Sequence, residues 1–145
     1  MNKKNVNTRK INLQEIKELV INVFQNQGCD IPNANALANT IVSAEQDGSS
    51  SHGLFRVPGY VASLQSGKVN GKSSPKVEHQ TPVILKCNSD NGFASYSHEI
   101  ALPMLVEAAK INGIAALSIT GCYHFAALWP ETEFLANENL VGLAC

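Results

Sequence analysis

Residues 47–56 read Asp-Gly-Ser-Ser-Ser-His-Gly-Leu-Phe-Arg, a polar stretch that contains two glycines. Apolar residues recur at helical spacing before it, over residues 34–42, and in a shorter series after it, over residues 60–64. Gly48 can end the first series and Gly67 the second, because glycine adopts left-handed backbone angles without a steric cost. The stretch therefore predicts a loop between a long helix and a short one.

A further helix is predicted ahead of these two. Asn12 and Glu15 have the spacing of a capping box, in which each side chain accepts a hydrogen bond from the other residue's backbone N–H. Apolar residues then recur at helical spacing until Gly28, which predicts a helix over residues 13–27. These apolar residues are Leu13, Ile16, Leu19, Val20, Val23 and Phe24.

Downstream of the third helix the pattern changes to that of strands. Residues 67–75 are rich in Gly, Ser, Lys and Asn and predict a surface connection. Residues 76–80 and 83–87 predict two strands that a hairpin would join, and residues 90–92, Asp-Asn-Gly, predict a turn.

Helices and strands then alternate to the end of the sequence. Apolar residues from Ile100 to Ala109 predict a helix that ends at Gly113, with Pro103 either in its first turn or at a kink. The later segments are predicted as a buried strand over residues 114–119, a helix over 129–138 and an apolar strand over 140–144. A final strand would expose an unpaired edge, so we expect the fold to continue beyond it.

This order of elements predicts a mixed α/β fold. Residues 1–75 form a helical part, and residues 76–145 form a mixed sheet with helices. With 145 residues, of which 44% are hydrophobic, the chain is long enough to bury a core.

Charge and hydropathy exclude several kinds of partner. The net charge of −1 argues against nucleic acids and anionic membranes, which attract strongly basic proteins. Lys3, Lys4, Arg9 and Lys10 precede the first apolar series and are predicted to be solvated. The sequence contains neither a membrane-length apolar run nor an apolar stretch directly after these basic residues, so we expect a cytoplasmic protein.

Common cofactor and metal motifs are missing from the sequence. The four cysteines are scattered, with no CxxC pair and no zinc-finger spacing to a histidine, so reduced thiols and no metal site are expected. GxGxxG and GxxxxGK[ST] are absent, and no GxSxG surrounds a serine. A dinucleotide, if bound, would bind without the Rossmann fingerprint.

Ser51, His52 and Arg56 could form a site for an anion and a proton. On a helical turn, residues four apart share a face, so the imidazole and guanidinium would lie together. Arginine binds carboxylates through two hydrogen bonds, histidine exchanges protons near neutral pH, and Ser51 could bond a neighbouring group. The alternative, which spacing alone favours, is that Ser51 and His52 cap the third helix while Arg56 is solvated.

His124 lies in residues 121–130, Gly-Cys-Tyr-His-Phe-Ala-Ala-Leu-Trp-Pro, after the strand predicted over 114–119. Alternating α/β folds bind ligands on loops that follow strands, so His124 could transfer a proton or contact a cofactor. The alternative, again favoured without further information, is a partly buried histidine packed among Tyr123, Phe125 and Trp129.

The sequence resembles the malate/L-lactate dehydrogenase-type oxidoreductases, a family that binds NAD(P) without a Rossmann fold. Residues 44–60 and 64–70 match the family pattern in order and spacing, and the likeness continues to residue 145. Residues 122–131, Cys-Tyr-His-Phe-Ala-Ala-Leu-Trp-Pro-Glu, are most similar to the branch that reduces Δ1-piperideine-2-carboxylate and Δ1-pyrroline-2-carboxylate. The malate and lactate branches typically have Asn-Ser-Asn-His-Phe-Gly there.

The resemblance implies roles for individual residues. His52 would be the proton donor, Ser51 its relay partner and Arg56 the clamp on the substrate carboxylate. The segment that would contact NADPH, or NADH in its place, is His124, Phe125, Ala126, Ala127 and Leu128. Residues 76–145 would then begin the NAD(P)-binding domain, and the full-length enzyme would be a homodimer.

Three functions remain open from the sequence. The leading one is NADPH-dependent reduction of a small cyclic 2-imino carboxylate. The second is a malate- or lactate-type 2-hydroxyacid dehydrogenase. Because family members are longer, the third is a truncated, non-catalytic fragment or a subunit that needs a second polypeptide.

Overall fold

The computed structural model describes residues 9–145, and the predicted solvation of Lys3 and Lys4 therefore lies outside the described residues. Helix α1, Leu13–Asn26, begins at the predicted capping box. The Asn12 side chain accepts from Glu15 N at 2.9 Å, and Asn12 N donates to the Glu15 carboxylate at 3.0 Å. Both bonds satisfy donors that a helix start leaves free, so this prediction is confirmed.

Helix α2, Ile31–Gln46, follows α1 and packs against it. Asp30 caps it by accepting from Asn33 N, and Pro32 lies in the first turn, where a missing N–H costs nothing. Residues Leu54–Arg56 form a single 3-10 turn that leads into helix α3, Val57–Gln65. The three predicted N-terminal helices are thus present.

A three-stranded sheet follows, with strands β1 (Lys76–Thr81), β2 (Ile84–Asn88) and β3 (Ala116–Thr120) in the order β1-β2-β3. β1 and β2 pair antiparallel as the predicted hairpin, and β2 and β3 pair parallel. The sheet is therefore mixed, as the predicted fold class requires. The parallel pair places the carboxyl ends of β2 and β3 at the same edge.

Helix α4, Ala94–Asn112, crosses from β2 to β3 and begins six residues before the predicted apolar series. Its first turns contain Ser95, Ser97 and His98, which interrupt the apolar pattern and concealed the true start. Pro103 consequently lies inside the helix and not in its first turn. Gly113 ends α4 with a left-handed φ of 81°, as predicted.

Helix α5, Trp129–Asn137, matches its prediction, whereas the strand predicted over residues 140–144 is wrong. Leu140 N donates back to Leu135 O at the end of α5, and residues 141–145 have no strand assignment. A strand exists only when a neighbour completes its hydrogen-bond ladder, and apolar content alone does not supply one. Val141 and Leu143 are almost fully exposed.

The main core lies between α1, α2, α3 and the start of α4. Its largest fully buried side chains on the two long helices are Phe24, Leu37 and Ile41. A buried network joins this core to the connection before β1: Asn33 Nδ2 donates to Ser73 O at 3.0 Å, and Ser73 Oγ donates to Asn33 Oδ1 at 2.7 Å. The helical part and the sheet are thereby held together. Among residues 9–145, no helix has the length and apolar character needed to cross a membrane.

Leu37→Ala should lower the free energy of unfolding by about 2 to 5 kcal/mol, because Leu37 is buried and the truncation leaves a cavity. Leu19→Ala is the matched control, since Leu19 lies on α1 with half its surface exposed and should cost less than about 1 kcal/mol. Urea denaturation followed by circular dichroism measures both. Equal losses in the two variants would contradict this description of the core.

Candidate active site

The loop between α2 and α3 carries the first group of candidate residues. Hydrogen-bonded turns shape it: Gly48 N donates to Glu45 O, Ser49 N to Ala44 O, and His52 N to Ser49 O. Gly48 has a φ of 70°, which fits the predicted end of α2.

Ser51 and His52 form a hydrogen-bonded pair on this loop. Ser51 Oγ lies 3.0 Å from His52 Nδ1. That bond occupies Nδ1, whichever group donates, so Nε2 is the ring nitrogen left to exchange a proton with a ligand. The His52 ring also meets Trp129 edge-on, with centroids 5.3 Å apart.

Arg56 lies beside this pair but not on a shared helix. The helical turn that would align His52 with Arg56 is not formed, because turns continue to Gly53 and only Leu54–Arg56 forms a 3-10 turn. Arg56 instead reaches back, and its Nε donates to Ser51 O at 2.9 Å. Within residues 9–145 its two Nη groups have no hydrogen-bond acceptor, so they are free to bind a carboxylate.

The structure contradicts the alternative in which Ser51 and His52 cap the third helix. Arg56 occupies the N-cap position of α3, and within the described chain no side chain caps that helix. Arg56 is half-buried and is not a free surface residue. Neither part of the capping interpretation accounts for these three residues.

His124 lies in the loop after β3, which backbone hydrogen bonds tie to the start of α4. Tyr123 N donates to Gly92 O at 2.9 Å, and Ala94 N donates to His124 O at 3.0 Å. His124 Nδ1 accepts from Ala126 N at 2.8 Å, which requires Nδ1 to be unprotonated. The ring is therefore neutral, with its proton on Nε2.

Ala126 has a left-handed φ of 64°, an unusual conformation for a residue with a Cβ. It costs on the order of 1 kcal/mol, which the surrounding packing must offset. The conformation aims the Ala126 amide at the His124 ring. The backbone conformation at Ala126 thus allows its N–H to bond the His124 imidazole.

The pKa of His124 lies below its ordinary value, and the causes show what surrounds the ring. Burial is the largest cause, followed by the positive charges of Arg56 and then His52. The contacts agree with this: the Tyr60 ring lies 5.6 Å from that of His124, and the His52 ring lies 5.3 Å from that of Trp129, so the loop after α2 and the loop after β3 lie close together. The structure therefore brings His52, Arg56 and His124 into one group.

Tyr60 connects these loops and was not singled out from the sequence. It is buried, and its ring lies 5.6 Å from that of His124 and 5.0 Å from that of Phe93. Burial raises the pKa of Tyr60, while the nearby Arg56 charge opposes that shift. His124 also stacks on Phe125 at 5.9 Å, so its predicted aromatic packing is partly present. Trp129, by contrast, packs on His52.

A cavity of about 780 Å³ adjoins the loop after β3 and lies between α4, β3, α5 and residues 139–145. Phe125 and Leu128 line it and are both substantially exposed. Ser51, His52, Arg56 and His124 do not line it. The loop after β3 therefore contributes His124 to the basic group and two apolar side chains to a neighbouring, mainly apolar cavity.

His98 on α4 and Glu131 on α5 form a largely buried pair. His98 Nδ1 lies 2.9 Å from Glu131 Oε1, joining α4 to α5. Glu131 Oε2 and Trp129 Nε1 are buried and have no hydrogen-bond partner among the described residues. Among residues 9–145, no cluster of three or more His, Cys, Asp or Glu side chains could hold a metal ion.

The family model for malate/L-lactate dehydrogenase matches residues 11–145. The chain belongs to this family.

Relatives and solved structures give a finer comparison. The chain is 41% identical over 134 residues to Delta(1)-pyrroline-2-carboxylate reductase 1 of Burkholderia ambifaria, covering 92% of this chain and 39% of the relative. It superposes on the crystal structure of delta1-piperideine-2-carboxylate reductase from Pseudomonas syringae with a TM-score of 0.87 and 39% identity, over 90% of this chain and 40% of that one. Malate dehydrogenase from Pyrococcus horikoshii OT3 shares the fold, with a TM-score of 0.82 and 22% identity over 90% of this chain and 37% of that one. The chain thus spans about two fifths of the length of the proteins it matches.

Arg56→Ala should raise the pKa of His124 part of the way to its ordinary value, because one of the two neighbouring charges is removed while burial remains. Arg56→Lys, which keeps the charge, should leave that pKa low. Proton NMR titration of the His124 ring measures both. Identical titration curves for the two variants would contradict the proximity of Arg56.

The same depressed pKa sets the direction of a pH effect on folding. The neutral His124 ring contributes its full stabilisation above the unfolded-state pKa, and the contribution is lost as pH falls through the lower folded-state pKa. His124→Gln should therefore weaken the pH dependence of the urea midpoint across that acidic window. An unchanged pH dependence would contradict the assignment.

Proposed function

We propose that this chain carries the substrate-side residues of an NADPH-dependent reductase of small cyclic 2-imino carboxylates. The observation that carries the proposal is the grouping of a hydrogen-bonded Ser51–His52 pair with Arg56 and His124. Sequence identity of about 40% to a named pyrroline-2-carboxylate reductase supports this substrate class over the malate dehydrogenases, which match at lower identity.

Arg56 is the proposed clamp for the substrate carboxylate. Its Nε is held by Ser51 O, and this bond orients the guanidinium with its Nη groups free. A carboxylate bound there would also reduce the repulsion between Arg56 and a protonated His52. The substrate would thereby be fixed next to the proposed proton donor, which is the main requirement for rapid transfer.

His52 is the proposed proton donor to the imine nitrogen. The protonated ring would give up its Nε2 proton and keep a hydrogen bond between Nδ1 and Ser51 Oγ. Ser51 would hold the ring orientation during this transfer and relay the replacement proton. The edge-on contact with Trp129 restricts the ring from the other side.

The residues around His124 fit a nicotinamide cofactor. Ala126 and Ala127 are small, Phe125 and Leu128 present exposed apolar surface to a ligand-sized cavity, and Trp129 Nε1 is a buried donor without a protein partner. His124, neutral and with its proton on Nε2, would offer one directed donor in this setting. When bound, the cofactor would supply the hydride that reduces the imine carbon. NADPH is proposed as the preferred form, with NADH as a possible substitute.

The relatives lead us to propose further properties of the complete enzyme. A cytoplasmic homodimer is proposed, together with a substrate-side part in residues 1–75 and the beginning of a cofactor-side part in residues 76–145. The homodimer and the two parts are proposed from the family resemblance, and the cytoplasmic location from the sequence, which has neither a membrane-length apolar run nor an apolar stretch after its basic residues.

Substrate class can be tested by NADPH consumption with the purified chain. Δ1-Pyrroline-2-carboxylate and Δ1-piperideine-2-carboxylate should be reduced, whereas pyruvate and oxaloacetate should not. Turnover of the oxo acids alone would instead identify a 2-hydroxyacid dehydrogenase. Lack of turnover with all four compounds would favour the non-catalytic interpretation.

Arg56→Ala should reduce kcat/KM for the imino acid by roughly 30- to 1000-fold, equivalent to about 2 to 4 kcal/mol of lost transition-state stabilisation. Arg56→Lys keeps the charge but cannot form the bidentate hydrogen bond, so its kcat/KM should lie between those of Arg56→Ala and the unmodified chain. His52→Ala should lower kcat. Unchanged turnover in His52→Ala would exclude His52 as the proton donor.

A further inference from the structure

We propose that Glu45 is the positioning residue for the Ser51–His52 pair. The catalytic meaning of this proposal rests on the proposed function, whereas its structural part does not. Glu45 lies in the last turn of α2, ahead of the loop that carries the pair. It does not contact the proposed substrate position and would act through the loop backbone.

The Glu45 side chain reaches across the loop to its far end. Its Oε1 accepts a hydrogen bond from Leu54 N at 2.6 Å, where the 3-10 turn begins. A carboxylate acceptor makes such a bond shorter and stronger than a neutral one. The half-buried position of Glu45 limits competition from water.

Gly53 shows how closely the carboxylate approaches the backbone. A Cβ at this position would overlap Glu45 Oε1 and lie only 2.6 Å from Glu45 Cδ. The φ of Gly53 is −87°, outside the left-handed region, and a Cβ here would collide with the Glu45 side chain. The space that a side chain would take is filled by the carboxylate.

Glu45 consequently bonds both ends of the loop. Its carbonyl oxygen accepts from Gly48 N at 3.1 Å, and its carboxylate accepts from Leu54 N. Ser51 and His52 lie between these two attachments, and Arg56 Nε holds the middle through Ser51 O. Loss of the carboxylate would release the far end of the loop and allow His52 to move relative to Trp129 and Arg56.

A double-mutant cycle tests the contact between the two residues. Gly53→Ala should lower the urea midpoint in the unmodified chain, because the new Cβ displaces the Glu45 carboxylate and breaks its hydrogen bond to Leu54 N. In the Glu45→Ala background the same change should have a much smaller effect, since the overlapping atoms are gone. Equal effects in both backgrounds would overturn the proposed contact.

The NMR signals of the His52 imidazole report whether the Ser51–His52 pair keeps its position. At fixed pH, Glu45→Ala should shift the ring nitrogen NMR signals of His52 and accelerate exchange of the Leu54 amide by about tenfold, which corresponds to one hydrogen bond. Glu45→Gln keeps an acceptor oxygen in place and should retain most of the native signals. Glu45→Asp withdraws the carboxylate by one methylene and should resemble Glu45→Ala, which provides a second variant if Glu45→Ala folds poorly. Gln46→Ala, at the exposed neighbouring position, is the control.

Native His52 signals in both Glu45→Ala and Glu45→Asp would overturn the positioning role. In the NADPH assay, Glu45→Ala should lower kcat by about 10- to 100-fold with little change in KM, because the proton donor is misplaced while Arg56 remains. If the unmodified chain turns over no imino acid, the proposed function fails, and the NMR comparison still decides the positioning role. If His52→Ala abolishes turnover while Glu45→Ala leaves both kcat and the His52 signals unchanged, only the positioning proposal fails.

Discussion

The packing of Tyr60 is the constraint on which the arrangement of the candidate site depends. Its buried ring contacts Phe24 of α1, Phe93 at the start of α4 and His124 after β3, with centroid distances of 6.3, 5.0 and 5.6 Å. A large aromatic ring held from three directions has little freedom to shift in a close-packed interior. Tyr60 follows Arg56 by four residues, so its position also sets where the first loop meets the second.

This packing brings basic groups together in a partly buried place. Arg56 and His52 both disfavour a proton on His124, and burial acts in the same direction. Repulsion between neighbouring positive charges is avoided because His124 stays neutral, and the hydrogen bond from Ala126 N to its Nδ1 stabilises the neutral ring. Arg56 then remains as a permanent cation with free Nη groups, which gives the site a preference for an anion. This preference supports the proposal that the substrate carboxylate binds at Arg56.

Local features of the fold were predictable from the sequence, and features that depend on distant contacts were not. The Asn12–Glu15 capping box and the left-handed Gly113 follow from interactions within a few residues, and both are confirmed. The start of α4 was missed because two buried residues in its first turns are serines, which do not continue the apolar pattern. Ser97 is buried there and donates to Ser89 Oγ, a partner that no local rule identifies.

The same distinction applies to the site. Spacing marked Ser51, His52, Arg56 and His124 as candidate site residues, but it favoured capping and simple packing as their roles. The observations against capping are the Ser51 Oγ to His52 Nδ1 contact and the bond from Arg56 Nε to Ser51 O. The contacts of Tyr60 and Glu45 were not predicted, and Trp129 was expected to pack on His124 but packs on His52. Sequence spacing does not reveal such contacts, because they depend on how the chain folds back on itself.

Several contacts of the proposed site cross the predicted division near residue 75. His52 and Arg56 belong to the predicted substrate-side part, whereas His124 and Trp129 belong to the predicted cofactor-side part. His52 nevertheless packs on Trp129, and the charge of Arg56 acts on His124. The proposed site therefore lies between the two parts and belongs to neither alone. Transfer of a hydride and a proton to adjacent atoms of one small substrate requires such an arrangement, because the two donors must reach the same bond from different segments of the chain.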